Sequence, residues 1–251
     1  MKRLALIIGC PGDRVVLQGV PKDVNNIALF LSSPNGGSWK KDEIVISAPT
    51  TAREVVAIVA QARQLRPEYG FIYFSGHGGI NERNGRTVIE IKTGEEVYAD
   101  SITISGKELA IFDTCRSYFS PTVPILEARS FAERQDALEL DTSEVFNTAV
   151  SSCENGRIEL YSSSPREASN DTREGGLFTV KLLQRATGIS TASDYPEKID
   201  CATAFAAAKQ AVEAEKRDQH PSMEGSIRRR IFFPFAIGIR SIRLRKQFLH
   251  G

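Results

Sequence analysis

Two short apolar runs, each ending abruptly in chemistry-bearing residues, constrain the fold of this chain more than any other feature. Residues 109–117, LAIFDTCRS, climb to Phe112 and then break into Asp113, Thr114, Cys115 and Arg116. Residues 71–79, FIYFSGHGG, make the same transition into Ser75, Gly76, His77 and two further glycines. Both runs are too short for a helix and too apolar for an exposed strand, so they read as central strands of a parallel sheet buried on both faces. Side chains at the carboxyl ends of neighbouring parallel strands converge in one crevice, so a cysteine and a histidine roughly 40 residues apart in sequence can meet in space. That is the geometry a Cys/His nucleophilic pair requires.

The flanking pattern supplies the rest of such a sheet. Residues 3–9 form another apolar run that stops at Gly and Pro, which fits a third central strand. Pro21 opens a helix with Val24, Ile27, Ala28 and Leu31 on one face, closed by PNGG at 34–37. Residues 43–47 give a further strand, and Thr51 with Glu54 forms a capping box for a helix carrying Val55, Val56, Ile58, Val59 and Ala62. With the 71–79 strand the order is βαβαβ, the signature of a parallel sheet covered by helices. Residues 81–98, punctuated by Asn84-Gly85 and Thr93-Gly94, predict a small surface hairpin. From Ser117 to Asn155 the chain is polar and weakly periodic, and reads as a long exposed connection. A strand at 157–162 follows, then a polar loop through Ser169, Asn170 and Asp171. An apolar helix at 177–183 and an alanine-rich helix capped by Asp200 come next. The last strand, 231–237, contains Pro234, which assigns it to a sheet edge.

At 251 residues and 41% hydrophobic content the chain can bury one large α/β core, and it reads as a single domain. Lys plus Arg (32) nearly cancels Asp plus Glu (31), so no global field draws it to nucleic acid. Positive charge concentrates only at residues 226–251, which hold no acidic residue; that end is a solvated tail or a partner-docking surface. Cys10, Cys115, Cys153 and Cys201 are scattered without a CxxC pair, which argues against a zinc site and a disulfide framework and for a reducing, cytoplasmic setting. MKRLALIIGC imitates a lipoprotein signal, but its apolar run is too short and the first-strand reading is preferred. No stretch approaches the length of a membrane span.

Cys10, Cys153 and Cys201 read as small hydrophobes. Cys115 differs, because it sits at a strand end beside Arg116, and nearby positive charge lowers a thiol's pKa. His77 is ringed by glycines, and the amide of Gly78 is available to an oxyanion. From spacing alone, a catalytic pair and a structural coincidence remain equal alternatives. A dinucleotide-binding reading of Gly9-Cys10-Pro11-Gly12 fails, since no G-x-G-x-x-G pattern is present.

The pairing of YFSGHGG with IFDTCRS, in this order and on successive strands, resembles the caspase-like cysteine peptidases, and within them the metacaspase or bacterial caspase-homologue branch. Ser75, Gly76, His77 and Gly78 match the histidine motif, and Asp113, Cys115 and Ser117 match D-x-C-x-S. KDVNNIALFL at 22–31 is similar to the first helix, 161–179 to the small-subunit strand and the helix start after it, and Gln219-His220-Pro221 to a late loop. The chain departs from the metacaspase pattern at Tyr118, where a glycine is usual, and at Arg166 and Glu167. These departures bear on substrate preference more than on catalysis.

The resemblance implies a three-layer caspase-like α/β fold with a six-stranded, mostly parallel sheet flanked by helices. It divides the chain into a large-subunit-like portion at 1–117, a connection at 118–156 and a small-subunit-like portion at 157–251. It further implies a cysteine endopeptidase with an acyl-enzyme mechanism. Cys115 is the expected nucleophile, His77 manages protons, and the amides of Gly78 and Cys115 hold the oxyanion. Asp113 lies in the floor of the expected substrate pocket and Glu167 adds a second carboxylate, so cleavage after Arg is favoured over Lys. No cofactor is expected. Calcium activation occurs in some metacaspases, and Asp136, Glu139 and Asp141 form either a calcium site or a solvated acidic face. The expected partners are a protein substrate and a regulatory protein of a bacterial defence or cell-death pathway, with neither membrane nor nucleic acid. Arg129 and Arg134 in the connection are candidate self-cleavage points. The competing reading is a non-catalytic caspase-like adaptor or assembly subunit, against which the presence of both His77 and Cys115 speaks.

Overall fold

The computed structural model describes residues 1–117, 140–188, 196–225 and 231–239. Its centre is a six-stranded sheet whose strands lie side by side in the order Ser222–Gly225, Gly156–Tyr161, Lys107–Asp113, Tyr69–Gly76, Arg3–Cys10 and Ile44–Ser47. The strands are β1 (Arg3–Cys10), β2 (Ile44–Ser47), β3 (Tyr69–Gly76), β7 (Lys107–Asp113), β8 (Gly156–Tyr161) and β12 (Ser222–Gly225). All neighbours pair in parallel except β12, which runs antiparallel to β8. The three central strands are almost wholly buried, as their unbroken apolar runs require.

Alternation along these strands feeds two cores. Ala5, Ile7, Tyr69, Phe71, Tyr73, Leu109 and Ile111 face one side, where α1 (Val20–Ser32), α3 (Ser143–Ser151), α4 (Leu177–Gly188) and α5 (Cys201–Glu215) pack. Leu6, Ile8, Ile72, Phe74, Ala110 and Phe112 face the other, covered by α2 (Ala52–Gln64) and a three-stranded sheet of β4 (Gly78–Ile80), β5 (Thr87–Lys92) and β6 (Glu95–Tyr98). Helices on one face and a helix with a small sheet on the other make three layers.

The local signals behave as their chemistry dictates. Pro21 lies in the first turn of α1, Thr51 Oγ1 accepts from the Glu54 amide at the start of α2, and Asp200 caps α5 through the Thr203 amide at 2.8 Å. Three expectations change. The 81–98 segment is more than a surface hairpin, because Ile89 and Ile91 of β5 are buried in the second core. The connection is not exposed throughout: α3 lies inside it and buries Phe146 and Val150, two aromatic and β-branched anchors four residues apart on one helix face. The 231–237 run does not edge the main sheet. Its strand, β13 (Pro234–Gly238), pairs antiparallel with β11 (Glu197–Asp200) in a separate ribbon, and the register shifts at Pro234, which has no N–H to give. The sixth strand is instead β12, four residues whose sequence, SMEG, carries no alternation.

Asp136, Glu139, Arg129, Arg134 and most of the basic C-terminal end lie outside the described residues. No described helix is long and apolar enough to cross a membrane.

Candidate active site

The register of β3 against β7 ends at Ser75 opposite Asp113. His77 and Cys115 each follow two residues beyond that last pair, at the carboxyl edge of the sheet. Gly78, directly after the histidine, closes the gap between the strand ends: a Cβ there would overlap Thr114 Oγ1 and stand 3.4 Å from the Cys115 carbonyl oxygen. Only glycine lets the two backbones approach this closely.

The histidine ring is held by a group that carries no side-chain signature. Its Nε2 lies 2.6 Å from the carbonyl oxygen of Val15, in the loop between β1 and α1. A carbonyl can only accept, so Nε2 donates to it, and the tautomer with its proton on Nε2 is the one that presents an unprotonated Nδ1. Gly12, at φ +89°, passes under the ring, and a Cβ on it would fall 2.6 Å from Cδ2. Asp13 anchors the same loop by accepting from the Thr93 amide and hydroxyl at 3.1 and 2.6 Å.

The half-buried Cys115 sulfur receives the Ser169 amide at 3.2 Å and faces the Ser169 carbonyl at 3.7 Å. Burial raises its pKa, and the carboxylates of Asp113 and Asp171 add to the rise against the Ser169 hydrogen bond. The expected help from Arg116 is absent. That guanidinium points to the other face, donating to Thr87 Oγ1 at 3.0 Å, pairing with Glu224 at 2.9 Å and lying 4.0 Å over the Tyr161 ring. Adjacent strand residues alternate faces, so the charge next in sequence to the thiol is pointed away from it.

Asp113 is buried beside the start of α4. Its Oδ2 accepts from the Thr179 amide and hydroxyl at 3.1 and 2.7 Å, and its Oδ1 from the Ser169 hydroxyl at 2.9 Å. Burial raises its pKa despite these bonds. The carboxylate beside Asp113 is that of Asp23 in α1, which accepts from Ser75 Oγ at 2.8 Å and from the Gly176 amide at 2.9 Å. Burial, then the nearby Asp113 charge, push Asp23 up to about 8. Asp171 stands near both, its carboxylate receiving the Gly19 amide at 3.1 Å. No ion pair among the described residues reaches Asp23 or Asp113.

Glu167 is engaged elsewhere. Its carboxylate takes the His220 ring at 2.7 Å, the His220 amide at 2.8 Å and the Ser164 amide at 3.2 Å. Burial would raise its pKa, but these hydrogen bonds outweigh it and hold the carboxyl low. The late Gln219-His220 loop therefore acts as a strut: the fully buried Gln219 also binds the Ser162 carbonyl and Asn170, fixing the loop that carries Ser169 to Cys115. Among the described residues no group of three or more His, Cys, Asp or Glu could hold a metal ion. Of the functional candidates, sequence reasoning missed Asp23, Val15, Ser169 and Gln219. Asp23 did leave a signal, since it occupies the buried stripe of α1 together with Val20, Val24 and Ile27.

A parallel sheet with a cysteine and a histidine at adjacent strand ends, flanked by two buried aspartates, is the arrangement of the caspase-like class. The fold agrees with solved structures: caspase-1 from Spodoptera frugiperda is 15% identical with a TM-score of 0.58, covering 97% of this chain and 92% of that one. The protein GSU0716 from Geobacter sulfurreducens is 13% identical with a TM-score of 0.57, covering 93% of this chain and 97% of that one. A search of curated proteins finds no match. The Caspase domain family matches residues 2–232, and the chain belongs to that family. Membership carries a cysteine-protease-like function and a protein substrate, in a family that also contains non-catalytic members.

Proposed function

We propose that this protein is a cysteine endopeptidase with a Cys115/His77 dyad that cleaves after arginine, and less well after lysine. What supports the reading is the Val15 carbonyl on His77 Nε2, which leaves Nδ1 as the ring nitrogen available to serve as a base for Cys115. Because burial raises the thiol's pKa, its proton is taken at the moment of attack rather than shed beforehand.

His77 Nδ1 accepts the Cys115 proton as the sulfur bonds to the substrate carbonyl carbon. The carbonyl π electrons move to oxygen, and the oxyanion is received by the amides of Gly78 and Cys115. The oxyanion then re-forms the carbonyl, the C–N bond breaks, and the imidazolium protonates the departing amine. A water attacks the thioester, His77 takes one of its protons, and the acid leaves as the thiol is restored. The substrate's arginine lies against Asp113 and Asp23, whose planar carboxyls suit a bidentate guanidinium better than a point-charge ammonium. Activation by a partner protein in a bacterial defence pathway, in the cytoplasm, rests on the family resemblance alone.

The test is a fluorogenic peptide panel, with and without calcium, on wild type, Cys115→Ala and His77→Ala. Each variant should lose about 10³-fold or more in kcat/KM while keeping its fold. A Cys115→Ala protein that cleaves at the wild-type rate, or a thiol-directed peptide inhibitor that labels Cys153 instead, would end this assignment. Intact mass also shows whether active enzyme cuts itself after Arg129 or Arg134.

A further inference from the structure

Where β4 continues from His77 and pairs with β5 lies a cavity whose carboxylates the chemistry above does not use. It has a volume of about 400 Å³ and is lined by Gly78, Gly79, Val88, Glu90 and Glu96, with Glu82 and Arg83 at the turn beyond. This lies within the range of roughly 300–1,000 Å³ typical of ligand pockets.

Glu90 is the anomaly. It is only 8% exposed, yet its carboxylate accepts no hydrogen bond and joins no ion pair among the described residues. Ile89 and Ile91 turn into the core, so Val88 and Glu90 point the opposite way, into the cavity. Directly across the ladder from Glu90 stands Glu96, so the two like charges are cross-strand partners. Such a pairing is destabilising unless a cation joins it. Burial raises the pKa of Glu90, with His77 and Arg14 opposing, and Asp13 and Glu96 adding to the rise. Among the described residues no group of three or more ligands could hold a metal ion here, and two carboxylates suit an ammonium or guanidinium group.

Position says where that cation comes from. The Glu90 amide donates to the His77 carbonyl at 2.9 Å, and Gly78 and Gly79 form a bare strand leading from the histidine into the cavity. In acyl transfer, His77 protonates the departing amine, so the substrate chain beyond the scissile bond must leave past His77 and away from the Asp113 pocket. We propose that Glu90 and Glu96 form a specificity subsite for a lysine or arginine within the first two residues after the scissile bond. The inference rests on the protease reading. It makes the enzyme selective for substrates with basic residues on both sides of the cut.

The experiment uses internally quenched peptides with arginine before the scissile bond and lysine or glutamine in the two positions after it. In wild type the lysine peptides should show about tenfold higher kcat/KM than the glutamine peptides. Glu90→Gln and Glu96→Gln are near-isosteric and should each collapse that ratio towards one. The ratio is read within each variant, so any general loss of activity cancels. Equal ratios in wild type and both variants would overturn the subsite while leaving the protease intact. Failure of wild type to cut any arginine peptide would overturn the protease reading and this proposal with it. A thermal midpoint that rises in Glu90→Gln supports the repulsion argument; one that falls sharply would show that the carboxylate has a structural partner and overturn the proposal.

Discussion

Gly176 stands between the carboxyl groups of Asp23 and Asp113. Its amide donates to both oxygens of Asp23, at 2.9 and 3.0 Å, and any side chain on it would overlap Asp113 Oδ2. Two acids from α1 and β7 are thereby held against the same backbone segment, close enough for the charge of one to raise the pKa of the other. A buried like-charged pair retains a proton until a cation replaces it.

The pocket follows from that pair. Asp113→Asn or Asp23→Asn should lower kcat/KM on arginine peptides by roughly 30-fold or more, since each leaves a guanidinium short of one buried partner. Peptides differing only at the residue before the scissile bond give the measurement. Efficient cleavage after aspartate, or arginine cleavage that survives Asp113→Asn, would assign the pocket to other residues.

The pair also sets a pH dependence. Burial and the Asp113 charge push Asp23 up to about 8 in the folded protein against 3.8 for an ordinary aspartate, so the folded state holds an extra proton between those values. Unfolding releases it, and stability therefore falls as pH rises through this window. The thermal midpoint should decline between pH 5 and pH 8 in wild type and decline less in Asp23→Asn. Arginine cleavage should move the other way, rising towards pH 8 as the anion becomes available. A midpoint equally pH-dependent in Asp23→Asn would remove Asp23 as the cause.

The loop that holds the histidine can be tested through Gly12. Alanine there is strained at φ +89° and meets the His77 ring at 2.6 Å, so Gly12→Ala should push the Val15 carbonyl off Nε2. The expected result is a fall in kcat of about 10²-fold with little change in KM. Since the loop is outside both cores, circular dichroism should stay native. Unchanged kcat would mean that the carbonyl does not set the ring.

Arg116 predicts a structural phenotype. Its guanidinium is buried against Tyr161 and paired with the half-exposed Glu224, so Arg116→Ala should cost about 2 kcal/mol, mainly by leaving Thr87 and Ser222 without their donor and Tyr161 without its cation. The preference for arginine over glutamine before the scissile bond should survive. A changed preference would place the guanidinium in the pocket after all.

The strands that carry the chemistry were legible because nothing else fits runs such as FIYFSG and LAIFD: an unbroken apolar stretch of that length satisfies its backbone and buries both faces only in the middle of a sheet. The helices were legible for the same kind of reason, since Pro21 marks a start by its fixed φ and missing N–H, and Thr51 and Asp200 mark theirs by side-chain caps. What failed was non-local. Ser222–Gly225 becomes the sixth strand only because β8 offers it an edge, and Pro234–Gly238 finds β11 because the alanine-rich α5 folds back over it.

The pocket shows the division most sharply. Asp113 could be singled out because it lies two residues from Cys115 on one strand, whereas Glu167 and Arg116 were singled out by proximity along the chain and proved to face other partners. Asp23, Val15 and Ser169 reach the site from three separate segments, two of them loops, and one acts through a carbonyl that every residue possesses. Sequence alone determined which side chains could do the chemistry, because residue type and strand alternation are local properties. Tertiary structure alone decided which carboxylates lie side by side and which atom holds the histidine, because those depend on the register of β3 with β7 and on how α1 and α4 pack across it.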